Sequence, residues 1–335
     1  MRRLDIHLRD TDTFDTVIRA IRAADPIDYY VIPLEQRDRK LINVFLRDES
    51  GQALMDNLYT CLEDETEWRI SLIPIEATAP KLTEAQSSSQ NPKQRTQALR
   101  EEIFNDISLG ATLDRDFLIL VALSTIVAAI GLNSDSVAGV IGAMVIAPLL
   151  GPILGFAFGA ALGDRTLLYG STRTLVVGIA LALLCSVLIS FMIPVDLQSR
   201  ELISRAEVRL DGMALAIAAG CAAALSMARG QGAVLVGVMV AAALLPPGAA
   251  VGLFLGSGEW ELALRAALLL ALNVASLVFA ALVVFRLRKI RPRQWLERQD
   301  ATRAVFLNLG LSVGFLTLCI ALIIILDLGA RISIG

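Results

Sequence analysis

The sequence is poor in the side chains that build most catalytic and metal centres. Only one of its 335 residues is a histidine, His7, and four are cysteines. With a single histidine, we expect neither a histidine-based metal cluster nor a catalytic triad. No CxxC pair occurs, and three of the cysteines lie inside apolar runs, which is typical of packed, reduced thiols. We therefore expect no catalytic residue, no metal, no cofactor and no enzyme activity.

An excess of one charge is also lacking. Thirty Lys and Arg residues stand against 33 Asp and Glu residues, so the formal net charge of −3 gives no reason to expect nucleic acid as a partner. After about residue 116, charges occur only in short clusters between long apolar runs. Apolar side chains are abundant instead, with 55% hydrophobic residues and a mean hydropathy of +0.63. A soluble domain cannot bury that much apolar surface, so we expect the lipid bilayer as a partner.

Residues 1–77 differ from the rest and predict a small α+β domain. Leu4, Ile6 and Leu8 alternate with polar residues, which is typical of a half-buried strand. A helix, two strands, a second helix and a fourth strand follow, so the predicted order is βαββαβ, a ferredoxin-like arrangement. The domain contains no glycine-rich phosphate loop. A structural or assembly role is the first interpretation, and ligand sensing is the second.

Residues 78–115 connect this domain to the apolar part of the chain. Up to about residue 92 the segment is rich in Ser, Gln, Pro and Thr, which is typical of a linker. Residues 94–109 then place apolar side chains on one helical face and charged side chains elsewhere. This pattern predicts an amphipathic helix that lies on the membrane surface.

Residues 116–290 predict a membrane domain of six apolar segments, and residues 291–335 add a basic link and a seventh. Most segments are near the roughly 20 residues that span a bilayer. The second and fifth carry glycine and proline in their middle, and a shift of 95 residues aligns Gly142 with Gly237 and Pro152 with Pro247. The same shift lays the first segment on the fourth and the third on the sixth. We predict an internal duplication, 116–194 and 211–289, with the seventh segment outside it.

The two proline-containing segments suggest what the membrane domain does. Three crossings per copy would orient the copies oppositely, and inverted repeats with interrupted helices mark the binding sites of many transporters. Main-chain groups freed by an interruption are costly in hydrocarbon unless protein or water pairs with them. We therefore predict a solute pathway between two interrupted helices, although a packed proline kink is the simpler interpretation of each. The expected lining residues are Pro148, Gly151, Pro152, Leu245, Pro246, Pro247, Gly248, Ser124, Thr125 and Asn273.

Charged side chains give further hints about the solute. No carboxylate lies at the centre of an apolar segment, where cation pumps usually need one. Half-helix N-termini favour anions, so we expect a small anion. Charges at the segment ends supply the candidate gates, which are Glu201, Arg205, Asp164 and Glu259. The simpler interpretation of Glu201 and Arg205 is an ion pair one helical turn apart.

Glycine spacing and basic residues bear on assembly and orientation. Glycines recur every four residues over 151–163 and 248–256, which allows close helix packing within the chain or between copies, and we expect a homo-oligomer. Lys and Arg concentrate before the first segment and between the sixth and seventh, which favours a cytoplasmic N-terminus. The same balance fits full crossings and re-entrant hairpins. Full crossings are preferred because residues 137–162 are long enough to span.

Four stretches resemble the motifs of one family, and they are residues 123–132, 141–152, 201–205 and 242–247. They are similar to the uncharacterised hydrophobic-domain membrane proteins, domain-of-unknown-function family 389. After the third stretch, Ala206 and Val208 stand near where that family usually has Thr and Pro. The resemblance covers residues 102–285 and implies a multi-pass protein of the prokaryotic inner membrane. It supplies no substrate, so a membrane-anchored sensor or scaffold remains the alternative to transport.

Overall fold

The computed structural model describes two units of the chain, Met1–Arg100 and Glu101–Gly335. The described residues are 1–9, 13–34, 39–47, 50–63, 65, 67–75, 100–207, 210–229 and 234–288, with 310, 314, 317 and 321. The predicted linker at 78–92 lies outside them, and so does the predicted seventh segment apart from those last four positions.

The first unit contains a four-stranded antiparallel sheet and two helices. Its elements are β1 (Arg2–Arg9), α1 (Thr13–Ala23), β2 (Asp28–Leu34), β3 (Arg39–Leu46), α2 (Gly51–Cys61) and β4 (Arg69–Pro74). The strands lie in the order β2-β3-β1-β4, and each pair is antiparallel. Leu4, Ile6 and Leu8 are buried on one face of β1, as their alternation predicted, and pack in one core with Val17 of α1 and Leu54 of α2.

The second unit is helical. Its elements are α3 (Arg100–Gly110), α4 (Arg115–Asn133), α5 (Val137–Ile146), α6 (Leu150–Leu162), α7 (Arg165–Met192), α8 (Arg200–Ile203), a 3₁₀ turn (Ser204–Ala206), α9 (Leu210–Ala228), α10 (Val234–Gly256) and α11 (Trp260–Leu287). By length and composition, α4, α7, α10 and α11 can each cross a membrane, and α5 with α6 forms a fifth, bent candidate. Helix α9 is apolar too, but it is shorter. The long apolar helices of the described part suit a multi-pass membrane protein.

The predicted interruption of the second segment is confirmed. Helices α5 and α6 meet at 52° across three residues, 147–149. Ala147 has an extended ψ of 121°, because the ring of Pro148 disfavours helical backbone in the residue before it. Pro152 does not break α6, since it lies in the first turn, where N–H groups have no helical acceptor.

The predicted interruption of the fifth segment is wrong. Helix α10 runs from Val234 to Gly256 with Pro246 and Pro247 inside it. A proline within a helix leaves the carbonyl four residues earlier without its usual donor. The neighbouring helix α11 supplies one, because Asn273 Nδ2 lies 2.8 Å from the oxygen of Ala243. A side chain 26 residues downstream of Pro247 thus pairs with the carbonyl that this proline leaves free.

Hydrogen bonds and packing show that α4 and α7 run in the same direction. Thr174 Oγ1 donates to the oxygen of Ala111 just before α4 (2.8 Å), and Asn133 Nδ2 at the end of α4 donates to the oxygen of Pro194 after α7 (3.1 Å). We name the end of the helical unit at Arg115 the near end, and the end at Asn133 the far end. The chain leaves α4 at the far end and enters α7 at the near end. Helices α5 and α6 together therefore cross the unit, and they do not form a hairpin that returns.

The second set of helices runs the opposite way. Gly220 of α9 packs on the backbone of Leu277 of α11, and Gly212 lies beside Leu269, so these two helices are parallel. Gly256, at the end of α10, packs on Ser190 near the far end of α7. Helix α10 thus ends at the far end, and α9 and α11 run from the far end to the near end. A shift of 95 residues carries the bounds of α4 onto α9 and those of α7 onto α11.

These directions predict which loops share a side of the membrane. Single cysteines that replace Ser134 and Ser257 should react with a membrane-impermeant maleimide from one side, because both turns lie at the far end. A cysteine that replaces Thr166, at the near end, should react only from the other side. The measurement is labelling in oriented vesicles, in a background without the native cysteines. Labelling of all three positions from one side would contradict the crossing of α5 and α6.

Candidate functional site

A small cavity lies in the second unit between the two proline-containing segments. Its volume is about 10 Å³, on the order of the space for one water molecule. It touches the break and four long helices. The lining residues are Val121, Ser124, Leu149, Gly178, Ile179, Ala182, Leu244, Leu245, Gly248 and Leu270. We call this space the central cavity.

The central cavity lies halfway along every long helix that forms it. Ser124 is near the middle of α4, Gly178 of α7, Leu245 of α10 and Leu270 of α11. Leu149 comes from the break between α5 and α6. If these helices span a bilayer, the cavity lies near its midplane. Its lining is apolar except for Ser124, and Ser124 Oγ donates to the oxygen of Val121 in its own helix (3.0 Å).

Within the described part of the chain, the break leaves main-chain N–H groups unpaired at and after the cavity residue Leu149. Helix α6 begins at Leu150, so the first N–H groups have no acceptor one turn earlier in the helix. Among the described residues, no hydrogen bond connects the N–H groups of Leu149, Leu150 or Gly151 to an acceptor, and no side chain caps this end. The start of α6 also carries the positive end of the helix dipole.

Asn273 is the polar side chain that meets the other proline segment. It is 5% exposed and donates through Nδ2 to the oxygen of Ala243, the carbonyl that Pro247 leaves free. Its Oδ1 atom is buried and has no donor within the described part of the chain. Asn273 thus ties α11 to the proline pair one turn away from the cavity residue Leu270.

The structure brings part of the predicted pathway together. Ser124, Leu245 and Gly248 line the central cavity. The others lie near it without lining it. Pro148 is in the break, Gly151 and Pro152 begin α6, Pro246 and Pro247 are buried within α10, Asn273 bonds to Ala243, and Thr125 Oγ1 donates to the oxygen of Val121 at 2.7 Å.

Sequence reasoning missed most of the apolar lining. It missed Leu149 and Leu244, which the 95-residue shift pairs, and also Gly178, which the shift pairs with the predicted Asn273. The shift was therefore a usable signal for these three positions. No sequence signal identifies Val121, Ile179, Ala182 or Leu270, because they resemble the other apolar residues of their helices.

Both glycine stripes pack inside the chain. A Cβ atom on Gly155 would lie 2.3 Å from Ser171 Oγ, and one on Gly252 would lie 2.4 Å from Ser186 Cβ. Both serines belong to α7, so α6 and α10 press against the two halves of the same helix. The simpler interpretation of the stripes, close packing within one chain, is thus present. The homo-oligomer stays a prediction.

The four candidate gates occupy helix ends. Arg205 Nη2 lies 3.0 Å from Glu201 Oε2, so the simple i,i+4 ion pair is present. Asp164 caps α7, because its Oδ1 accepts the N–H of Leu167 (2.9 Å). Glu259 occupies the equivalent position before α11 and makes no side-chain cap. Asp164 therefore has a structural role, and no role in gating follows from its contacts.

One carboxylate of the first unit has a shifted titration. The pKa of Glu67 is lowered, chiefly because Arg39 donates a hydrogen bond to it, and also because of the charge of Arg9. Arg9 Nη2 lies 2.8 Å from Glu67 Oε2. This cluster is exposed, so its ion pairs contribute little to stability.

Gly151 should be intolerant of any side chain. A Cβ atom there would lie 1.8 Å from the oxygen of Gly110, whereas one on Gly142 would meet nothing within 4 Å. We expect Gly151→Ala to destabilise the unit by about 1–3 kcal/mol through overpacking and Gly142→Ala to have little effect. The measurement is unfolding in mixed micelles. Equal effects of the two substitutions would contradict the close contact between α3 and α6.

Asn273→Leu should cost stability by leaving the oxygen of Ala243 unpaired. The expected loss is about 1–2 kcal/mol, because buried carbonyls without donors are unfavourable even in a membrane interior. Ser276→Ala is the matched control, since Ser276 lies one turn away, is fully buried, and its Oγ has no partner in the described chain. The same unfolding assay applies. If Asn273→Leu is as harmless as the control, Asn273 does not sustain α10.

Comparison with known proteins identifies the family to which the chain is similar. The family described as "Domain of unknown function (DUF389)" matches residues 144–279, which include the break, the proline pair and Asn273. An uncharacterized protein of Methanocaldococcus jannaschii is 31% identical over 248 residues, which are 74% of this chain and 77% of that protein. No solved structure matches the chain. On this similarity, the chain belongs to the DUF389 family.

Proposed function

We propose that the membrane domain moves a small solute across the bilayer and that the solute passes through the central cavity. The observation that carries this proposal is the position of the cavity, midway along α4, α7, α10 and α11 and beside the break at residues 147–149. Solute sites of transporters built from inverted repeats lie near the bilayer midplane, between the repeats, and beside discontinuous helices.

The directions of the helices support an inverted duplication. Glycine contacts put the end of α6 at the near end of α7 and the end of α10 at its far end, so these equivalent helices run oppositely. The contact residues Ser171 and Ser190 are separated by about 28 Å along α7 at the usual helical rise. That distance is close to the hydrocarbon thickness of roughly 30 Å. Two copies inserted in opposite senses would have this geometry.

A closed form of the pathway is the state that fits the size of the cavity. A space of about 10 Å³ admits no hydrated ion, so passage requires the surrounding helices to move. The break between α5 and α6 is suited to such movement, because Pro148 has no N–H group and the N–H group of Leu149 makes no hydrogen bond back to α5 among the described residues.

A small anion is the favoured solute. The unpaired N–H groups at the start of α6 and the positive end of its dipole favour negative charge, while the apolar lining offers no carboxylate to attract a cation. An apolar lining also favours weakly hydrated anions over strongly hydrated ones, because less hydration is lost on entry.

We further propose a cytoplasmic N-terminus in a prokaryotic inner membrane. The basic residues favour it, since the near end has more of them than the far end among the described residues. Those at the near end are Arg115, Arg165, Arg173, Arg229, Arg286 and Arg288, and those at the far end are Arg200, Arg205 and Arg265. The strand order of the first unit supports the ferredoxin-like arrangement predicted from sequence.

A sensor or scaffold is the second candidate function. It is favoured by the sheet face that α1 and α2 leave open, where Tyr30 and Ile32 of the edge strand β2 are 43% and 39% exposed. Exposed apolar side chains on a sheet are typical of a binding surface. In this case the first unit would bind a partner, and the helices would anchor it without moving any solute.

Flux measurements with two adjacent substitutions test the proposal. Ser124 and Thr125 both donate to the oxygen of Val121, but only Ser124 lines the central cavity. We expect Ser124→Val to lower anion flux into liposomes roughly tenfold, since replacing the hydroxyl in the lining by a bulkier apolar group should raise the barrier to anion passage by about 1.4 kcal/mol. Thr125→Val should leave the flux near the wild-type value.

The assay uses purified protein in liposomes, with chloride, formate and bicarbonate as anions and glycerol as a neutral solute. Absence of flux for all four with correctly folded wild-type protein would favour the sensor or scaffold. Equal loss of flux in both variants would place the pathway elsewhere in the molecule.

A further inference from the structure

We propose that two equivalent short segments close opposite ends of the solute pathway. The near-end segment is residues 106–111, the end of α3 and the residue after it. The far-end segment is residues 201–206, which comprise most of α8 and the 3₁₀ turn. This inference rests on the proposed function and adds to it the identity of the two gates and the residues that seal them.

The two segments correspond under the same 95-residue shift that relates the long helices. Each comes directly before the first long helix of its copy, α3 before α4 and α8 before α9. The shift aligns Asp106 with Glu201, Ile107 with Leu202, and Ala111 with Ala206. Both segments therefore have the pattern of an acidic residue, an aliphatic residue and, four positions later, an alanine.

Burial selects the same positions in both segments. Ile107 is 1% exposed and Leu202 is fully buried, and the two alanines are 5% and 3% exposed. Residues four apart lie on one face of a helix, so each segment turns one aliphatic side chain and one alanine inwards. The charged residues Asp106 and Glu201 lie outside that face. This corrects the emphasis of the sequence prediction, because Leu202 and Ala206 form the seal and the Glu201–Arg205 pair does not.

The near-end segment lies on the start of α6. Gly110 lies so close to Gly151 that a Cβ atom on Gly151 would collide with the backbone of Gly110, and Ala111 lies beside Gly155. Thr174 of α7 fixes the chain there by donating to the oxygen of Ala111. Gly151 is two residues from the cavity residue Leu149, so this segment covers the near-end side of the break.

The far-end segment connects the two copies. Asp135, in the turn after α4, accepts the N–H of Glu201 (2.9 Å), and Ser199 Oγ donates to the oxygen of Leu132. Asn133 adds the bond to Pro194 and accepts the N–H of Asp196 (2.7 Å). The 3₁₀ turn contacts α10 and α11 of the second copy, whereas Leu132, Asn133 and Asp135 belong to the first. A shift of one copy against the other therefore strains or releases this segment.

The two segments are held by different kinds of contact, so the near-end gate and the far-end gate are not equivalent. The near-end segment is held mainly by tight backbone packing. In the far-end segment, Asp135 accepts the N–H of Glu201 and Ser199 Oγ accepts the N–H of Leu202, while Asn133 bonds to Pro194 and Asp196 just before the segment. Two gates at opposite ends of one central cavity are the requirement of alternating access, because only one side is open at a time.

Two disulfide locks test the assignment, in full-length protein from which Cys61, Cys185, Cys221 and Cys319 have been removed. The far lock pairs Asp135→Cys with Glu201→Cys, and the near lock pairs Ala111→Cys with Thr174→Cys. A third thiol, Ser124→Cys, reports on the central cavity through its reaction with an impermeant maleimide added to either side of oriented vesicles. Anion flux is measured in parallel, before and after reduction.

We expect the far lock to abolish labelling of the Ser124→Cys thiol from the far side and leave labelling from the near side, with the near lock doing the reverse. Each lock should stop flux, and reduction should restore it. Asn133→Leu, which needs no cross-link, should increase labelling from the far side because it removes two hydrogen bonds.

If neither disulfide changes the labelling of the Ser124→Cys thiol, or if flux continues with either disulfide formed, the two segments are not gates. Transport as the proposed function would be unaffected by that result. Side-dependent labelling without any flux in the reduced protein would retain the gates and overturn transport as the proposed function. A far lock that blocks labelling from the near side would also overturn the assignment.

Discussion

Main-chain N–H and C=O groups must find partners inside the membrane, and proline denies them their usual ones. The chain meets this constraint twice, at corresponding places and by different means. At Pro148 the helix stops, and α6 starts anew with unpaired N–H groups beside the central cavity. At Pro247 the helix continues, because Asn273 pairs with the carbonyl of Ala243. The interior of the domain is organised around this contrast between a broken helix and a sustained one.

Helix α7 provides the fixed element against which both arrangements are built. Its first half receives α6 through Gly155, and its second half receives α10 through Gly252 and Gly256. Glycine permits backbones to approach where no side chain would fit, so the two proline-containing segments are held at a defined distance from one helix. Their centres then face each other across a space of about 10 Å³.

Features set by neighbouring residues were predictable from the sequence, and features set by distant ones were not. The strand alternation of Leu4, Ile6 and Leu8 and the break at Pro148 depend on local backbone preferences, and both appear as predicted. In the continuous helix α10, the carbonyl of Ala243 pairs with Asn273, which no local pattern associates with Pro247. Only Ser124, Leu245 and Gly248 of the cavity lining were foreseen, because helix rotation decides which apolar side chains face inwards.

Asn273 corresponds to Gly178 under the 95-residue shift. This pairing has a consequence for how the proposed duplication evolved. Under the proposed duplication, the ancestral half was a separate chain that inserted in both senses and assembled as an antiparallel pair. Identical partners would have treated their prolines identically. After fusion into one chain, the two halves could change independently, so the same position could become Asn273 in one half and Gly178 in the other. The difference between the broken segment α5–α6 and the continuous helix α10 would then have arisen after the duplication.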